Sequence, residues 1–175
     1  MTKLAGEIGD GWISHELCSP RYLKTQLLPW LEEGLQRAGR ERSSLDVVVS
    51  AACAIDENPK VAKRWNAGLV GFYATVKTYA EFFEFHGMGE AQDAVIAKFK
   101  TGISSDQLGD IVPDEMVDAM TLSGTAEYVR SRIAEYEGLA DTIKLTPPTH
   151  GLPPDMTRQA QNQILEMIPV LTGGV

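Results

Sequence analysis

A chain of 175 residues, 43% apolar and 23% charged, has enough apolar content to bury one core and too much of it to stay disordered. The formal net charge of −8 opposes attraction to a phosphate backbone, and no Lys/Arg-rich stretch is interleaved with aromatics, so no nucleic-acid partner is expected. The longest apolar run, Val47 to Ile55, is broken by Ser50 and is far too short to span a bilayer, and the first residues lack the apolar run of a signal peptide. Residues 1–175 therefore read as a single cytoplasmic domain with no membrane partner.

Residues 1–9 read as the end of a helix, with Leu4 and Ile8 one turn apart on one face. Gly9-Asp10-Gly11 then turns into a short strand, Trp12-Ile13. Ser19 is placed to cap a helix that begins at Pro20, where a missing N–H costs nothing. That helix carries Leu23, Leu27, Leu31 and Leu35 and stops at Gly39, while Pro29 inside it predicts a kink or a split. Leu45 to Ile55 is apolar at successive positions and not at alternate ones, the pattern of a strand covered on both faces in a parallel sheet.

From Asn58-Pro59 a long helical region carries Val61, Trp65, Leu69 and Phe72, and more helix follows over 79–85 and 90–99 with a break at Gly87 and Gly89. Residues 101–124 read as short helices and loops. Thr125 caps an amphipathic helix bearing Ala126, Val129, Ile133 and Tyr136, which Gly138 ends. Asp141 to Thr146 is a short strand, the proline-rich stretch 147–154 a stiff loop, and a last helix from about Asp155 directs Met156, Ala160, Ile164 and Ile168 inward. Helices alternating with three visible strands predict an α/β fold with right-handed crossovers and a parallel sheet. A sheet of three strands is too small to close, so either further strands or a partner is expected.

The order of these elements and the motifs on them point to a family. Leu4-Ala5-Gly6, then Asp10-Gly11-Trp12-Ile13, Ala38-Gly39-Arg40 at a helix end, Tyr73 and Tyr79 in the long helical region, Gly124-Thr125 opening a helix and Gly138-Leu139-Ala140-Asp141 leading into the last strand together resemble the luciferase-like monooxygenases. The branch most resembled uses the deazaflavin coenzyme F420 and includes methylenetetrahydromethanopterin reductase-like proteins. The resemblance implies a (β/α)8 TIM barrel whose full-length members are roughly twice as long as this chain, which would supply its C-terminal half: three parallel strands with surrounding helices.

It further implies an oxidoreductase or monooxygenase that binds F420, or alternatively FMN, and a small-molecule substrate. The family's coenzyme ring is held largely by earlier strands, so the resemblance does not imply coenzyme binding by this chain alone. Pairing with a missing N-terminal half, or a homo-oligomer, is the expected assembly. Two further readings follow: a non-catalytic assembly module derived from the barrel, and a reading frame whose Met1 is internal to a longer one.

Barrel enzymes build their sites at the C-terminal ends of the strands. Those positions here are Ser14-His15-Glu16, Asp56-Glu57 and Thr146 to His150. Ile13, Ser14 and His15 are the candidate coenzyme contacts, and Thr146 and His150 the candidate substrate contacts. His15 titrates near neutrality and suits a proton donor or a hydrogen-bond donor to a carbonyl. Set against this, all of them are equally readable as ordinary loop residues, and His86, beside Gly87, as a helix C-terminal cap. Neighbours on an extended chain point to opposite sides, so Ser14 and His15 do not form a nucleophile–base pair.

No catalytic residue is singled out. No bound metal is expected from three histidines without ligand spacing. Cys18 and Cys53 have no CxxC spacing, and a disulfide between them stays open. The aromatics Trp65, Phe72, Tyr73, Tyr79, Phe82, Phe83 and Phe85 read as core, with a pocket wall or dimer contact as the alternative.

Overall fold

In the computed structural model, which describes residues 1–172, every strand is hydrogen-bonded to one other. That strand is β2 (Asp46–Ile55), which follows α1 (Thr2–Ile8), β1 (Gly11–Ile13) and the helical stretch α2 (Pro20–Tyr22) to α3 (Leu28–Arg37). After it come α4 (Pro59–Ala74), α5 (Ala80–Phe85), α6 (Gly89–Phe99), α7 (Asp114–Met120), β3 (Leu122–Gly124), α8 (Ala126–Ala134), β4 (Thr142–Thr146) and α9 (Pro154–Leu171). All pairings of named strands are parallel: Gly11–Ile13 of β1 align with Asp46–Val48, Thr142–Thr146 of β4 with Val48–Ala52, and Leu122–Gly124 of β3 with Cys53–Ile55. Asp141 pins the start of β4, because its N–H donates to the Val47 carbonyl and its carboxylate accepts the Val47 N–H at 2.8 Å.

The continuous apolar run of β2 has the two covered faces its sequence predicts. Odd-numbered residues Val49, Ala51, Cys53 and Ile55 pack with Leu23, Leu122, Val129, Tyr136 and Ile164 from the surrounding helices and β3. On the opposite face Ala52 meets Ala67 and Val70 of α4, and Ala54 meets Ala62 and Trp65. Alanines at 52 and 54 let α4 lie close on the strand, and α4 is buried on most of its circumference. Ser19, Asn58 and Thr125 each accept a backbone N–H from the first turn of the helix they precede, the caps their positions predict.

Pro29 splits its helix as expected, by a specific device. Residues Leu23–Leu27 form a π-helical turn in which the Leu28 N–H reaches back five residues to the Leu23 carbonyl. Widening the ladder there relieves the clash between the proline ring and the preceding turn.

The structure corrects three expectations and leaves one apolar helix face open. A fourth strand, β3, lies inside the region read as helices and loops; three residues are too short to display any periodicity. The Leu4/Ile8 face of α1 is uncovered, at 46% and 74% exposure. Ile168 of α9 is exposed at 41%, so the inward stripe of that helix ends at Ile164. The helical region that carries Tyr73 breaks after Ala74, which puts Tyr79 in a separate 3₁₀ turn, Lys77–Tyr79. Cys18 and Cys53 are both free and buried, and burial pushes their thiols up to about 11 and about 12.

Helix α1 lies on α3 with the two backbones in close contact, Ala5 packing on Leu31 and Leu35 and Lys3 and Glu7 pairing with Glu33 and Arg37. A Cβ on Gly34 would fall on the Lys3 carbonyl oxygen, and one on Gly6 on the Leu31 carbonyl oxygen. No rotamer change can relieve such an overlap, because the obstructing atoms are backbone. Gly34→Ala is therefore expected to lower the free energy of unfolding by about 1–3 kcal/mol in urea titrations, with Gly39→Ala, whose site is open but left-handed, losing about 1 kcal/mol. Equal, negligible losses would show that α1 does not lie on α3 in this way.

Candidate functional site

Because all strands of the sheet are parallel, the segments that follow them meet at one end of the molecule. Ser14 stands at the close of β1, and its hydroxyl is consumed by the sheet: Oγ accepts the Ser50 N–H at 2.9 Å and lies 2.9 Å from the His15 carbonyl that it donates to. Ser50 continues the chain of hydroxyls, its Oγ 3.1 Å from Thr146 Oγ1. Ser14, Ser50 and Thr146 thus tie β1, β2 and β4 together, each buried or half-buried. Ser14 and Thr146 are joined in space through a residue 36 positions from one and 96 from the other.

His15 turns away from this chain. The Leu17 N–H donates to its Nδ1 at 3.2 Å, so Nδ1 is an acceptor and the ring proton sits on Nε2. That Nε2 is buried and has no hydrogen-bond partner among the described residues. An unpaired buried N–H costs about 1–3 kcal/mol, which marks the position as one the fold tolerates for a reason other than stability. Tyr73 meets the imidazole edge-on, with centroids 4.4 Å apart, and Tyr79 lies 4.9 Å away. Burial lowers the His15 pKa, and burial followed by the Glu16 carboxylate raises those of both phenols. At neutral pH the imidazole is neutral and both tyrosines keep their protons.

His150 also stands near Tyr73, 6.3 Å from it between ring centroids and 4.9 Å from Phe72. Its Nδ1 lies 3.2 Å from Thr149 Oγ1, and its carbonyl packs so closely on α4 that only glycine fits at Gly68. Of the residues singled out from sequence, His15 and His150 are thus both brought near one tyrosine. Ile13 and His15 border a cleft of about 380 Å³ with Trp12, Tyr22, Trp30 and Tyr79, whereas His150 borders a neighbouring cleft of about 490 Å³ with Arg64, Trp65 and Asp106. A larger cleft of about 620 Å³ over Ile143 and Leu145 holds no titratable side chain, so it offers no proton chemistry. Asp56 caps the turn before α4 through the Asn58 N–H. Among the described residues no group of three or more His, Cys, Asp or Glu is placed to hold a metal, and no helix is long and apolar enough to cross a membrane.

Tyr73 and Tyr79, read from the sequence as core aromatics with a pocket wall as the alternative, stand at the site, whereas Ser50 is the residue there that reading along the chain did not single out. The helical spacing of the two tyrosines is that of core aromatics, and only the break after Ala74 turns Tyr79 back toward His15. His86 has the capping role its position predicts: Nδ1 lies 2.8 Å from the Phe82 carbonyl, and Nε2 lies 2.8 Å from Ser19 Oγ.

A parallel sheet flanked by helices, with its polar and aromatic groups gathered beyond the strand ends, is the architecture of barrel-type α/β enzymes. Residues 1–142 match the luciferase-like monooxygenase family, and the chain belongs to that family. A putative coenzyme F420-dependent oxidoreductase of Mycobacterium tuberculosis is 30% identical over 148 residues, covering 80% of this chain and 42% of that protein. The 5,10-methylenetetrahydromethanopterin reductase of Archaeoglobus fulgidus is 28% identical over 177 residues, covering 98% and 51%. Among solved structures, the coenzyme F420-dependent tetrahydromethanopterin reductase of Methanopyrus kandleri superposes with a TM-score of 0.70 at 23% identity, over 82% of this chain and 41% of that one. The fold is therefore that of part of a (β/α)8 barrel, and the chain spans about half the length of these relatives or less.

Burial lowers the pKa of both His15 and His86 below the ordinary 6.5. The unfolded chain then binds protons more readily than the folded one, so the stability these residues contribute is complete above pH 6.5 and is lost as pH falls through the folded values. For His86 burial is the larger cause and the Arg21 guanidinium adds to it, while the bond between Nδ1 and the Phe82 carbonyl opposes them. The urea midpoint is expected to be level from about pH 8 to 7 and to fall in the pH unit below 6.5. His86→Gln should flatten that fall, and an unchanged pH profile in the variant would contradict the assignment.

Proposed function

We propose that this chain forms part of a hydride-transfer oxidoreductase of the F420-dependent kind, with the reacting groups held at the C-terminal ends of β1 and β4. The observation that carries the reading is the His15 Nε2–H, a buried donor fixed in one tautomer and given no acceptor by the described residues. A coenzyme ring with carbonyl oxygens suits such a donor. The names borne by the relatives favour F420 over FMN. When bound, the coenzyme would supply the hydride chemistry; the chain's own residues bind and orient.

In this reading His15 directs its Nε2–H to a coenzyme oxygen, and Ile13 and Tyr79 lend apolar and aromatic surface beside it. Ser14 acts one step back: by clamping Ser50 it fixes the direction in which the chain leaves β1, and so the His15 ring. Thr146 and His150 border the place of a small-molecule substrate, with Tyr73 near both histidines. Raised phenol pKa values keep Tyr73 and Tyr79 as neutral donors, and the lowered His15 value keeps its imidazole neutral. Water is held off by the same aromatic rings that bury Nε2. The whole barrel's substrate and its assembly belong to this proposal as well.

Fluorescence titration of F420 and, in parallel, FMN with the purified chain tests the reading. Saturable quenching of F420 is expected, weakened about threefold to tenfold in His15→Phe, which keeps a ring and removes the donor. Absence of F420 quenching at millimolar protein would overturn coenzyme binding by this polypeptide. Quenching of FMN alone would move the reading to a flavin.

A further inference from the structure

The hydroxyls of Tyr128 and Tyr136 are bonded, one to the Arg132 guanidinium and the other to the Cys18 carbonyl at 2.6 Å. Those of Tyr73 and Tyr79, beyond the strand ends, have no partner among the described residues. Glu16 belongs with them, because it takes part in none of the ion pairs among those residues. Its backbone, however, is fixed. The Glu16 carbonyl accepts the Ala52 N–H at 2.9 Å, and the next residue, Leu17, is 1% exposed and bridged to Ala51 of β2. A half-buried carboxylate on an anchored backbone, next in sequence to His15, thus stands without a counter-ion at the site.

The field around it is negative. Burial first, and the Glu16 charge second, raise the pKa of both phenols, and no lysine or arginine offsets that charge at either ring. The His15 ring, 4.4 Å from Tyr73 and 4.9 Å from Tyr79, adds no positive charge at neutral pH, because burial lowers its pKa. A carboxylate accepts hydrogen bonds and donates none, so the carbonyl oxygens that suit the His15 Nε2–H cannot satisfy Glu16. Its partner must donate. Beside aromatic rings, and with no other cation near, a charged donor is favoured over a neutral one.

We propose that Glu16, with Tyr73 and Tyr79 beside it, is a specificity-determining residue that takes a cationic nitrogen group, an amidinium or an ammonium, of the molecule bound beyond the strand ends. This rests on the reading that places a small-molecule substrate at the ends of β1 and β4, and it names the class of that substrate. Two N–H groups of an amidinium match the two oxygens of one carboxylate, and the phenol hydroxyls are free to accept from the same cation. The charge that admits a cation repels a carboxylate or a phosphate, so one residue both selects and excludes.

Benzamidinium, benzyl alcohol and benzoate are probes of similar shape and different charge. Ligand-observed NMR titration of the purified chain should rank them in that order, benzamidinium binding about fivefold to tenfold more tightly than the alcohol at low salt. Glu16→Gln keeps the shape, removes the charge and should abolish the preference, whereas Glu16→Asp should keep part of it. A second readout needs no probe: in an alkaline absorbance titration, two tyrosines should ionise at lower pH in Glu16→Gln than in the parent chain. The ranking in the parent chain decides the matter even if the variants fail to fold. Equal binding of the three probes, binding of none, or tighter binding of benzoate overturns the proposal. So does a preference that survives in folded Glu16→Gln, or a tyrosine titration that the substitution leaves unchanged. Quenching of F420 without the amidinium preference sinks this inference alone, and the preference without quenching sinks coenzyme binding alone.

Discussion

Ten residues, Asp46 to Ile55, hold the rest of the molecule in place because β1, β3 and β4 all take their hydrogen bonds from them. A parallel strand used along so much of its length must be covered on both faces, and a strand covered on both faces cannot afford bulk on each. Valines at 47 and 49 fill the helix-facing side near the start, whereas alanines at 52 and 54 admit α4 on the other side near the end. Where the side chains shrink, the helix approaches, and that approach carries Tyr73 and Gly68 to the strand ends. The position of the site is thus a consequence of residue size along β2.

The same strand joins the candidate residues chemically. Ser50 carries its one hydroxyl, and it lies where β1 ends and β4 is still paired, so its N–H donates to Ser14 Oγ on one side and its hydroxyl reaches Thr146 on the other. Buried hydroxyls so linked leave little freedom in the backbone at 14 and 15. His15 is therefore rigid at its base, fixed in tautomer by the Leu17 N–H, and unsatisfied at its tip. Rigid support behind an unpaired donor is the arrangement expected of a binding group and wasteful in a purely structural one.

Coverage of the sheet is uneven, and the unevenness has a direction. Toward the strand ends the inner face is closed by α4 and its neighbours; toward the strand starts it is open at Ile13 and Lys144. The helices show the same polarity, since α1 spends its glycine on contact with α3 and leaves its leucine and isoleucine bare. Apolar periodicity in a helix states that a face is to be buried, but it does not state against what. In α1 that demand is unmet within the described residues, which is the physical content of the resemblance to a part of a larger barrel.

Reading along the chain alone was enough for those features whose causes are local. The caps at Ser19, Asn58 and Thr125, the split at Pro29 and the two-faced strand at 46–55 each follow from the chemistry of a few consecutive residues, and motif order was enough for the family. The expectation of a site beyond the C-terminal ends of the strands came from the way barrel enzymes are built, because parallel strands bring all their C-terminal ends to one side. What lay beyond reach was every relation set by approach between distant segments. The three residues of β3 show no period, the break after Ala74 is what brings Tyr79 to His15, and Ser50 acquires its role only between Ser14 and Thr146. Sequence determines which groups can donate, accept or be buried; the tertiary structure decides which of them find partners, and that His15 Nε2 has none among the described residues is a fact of their packing.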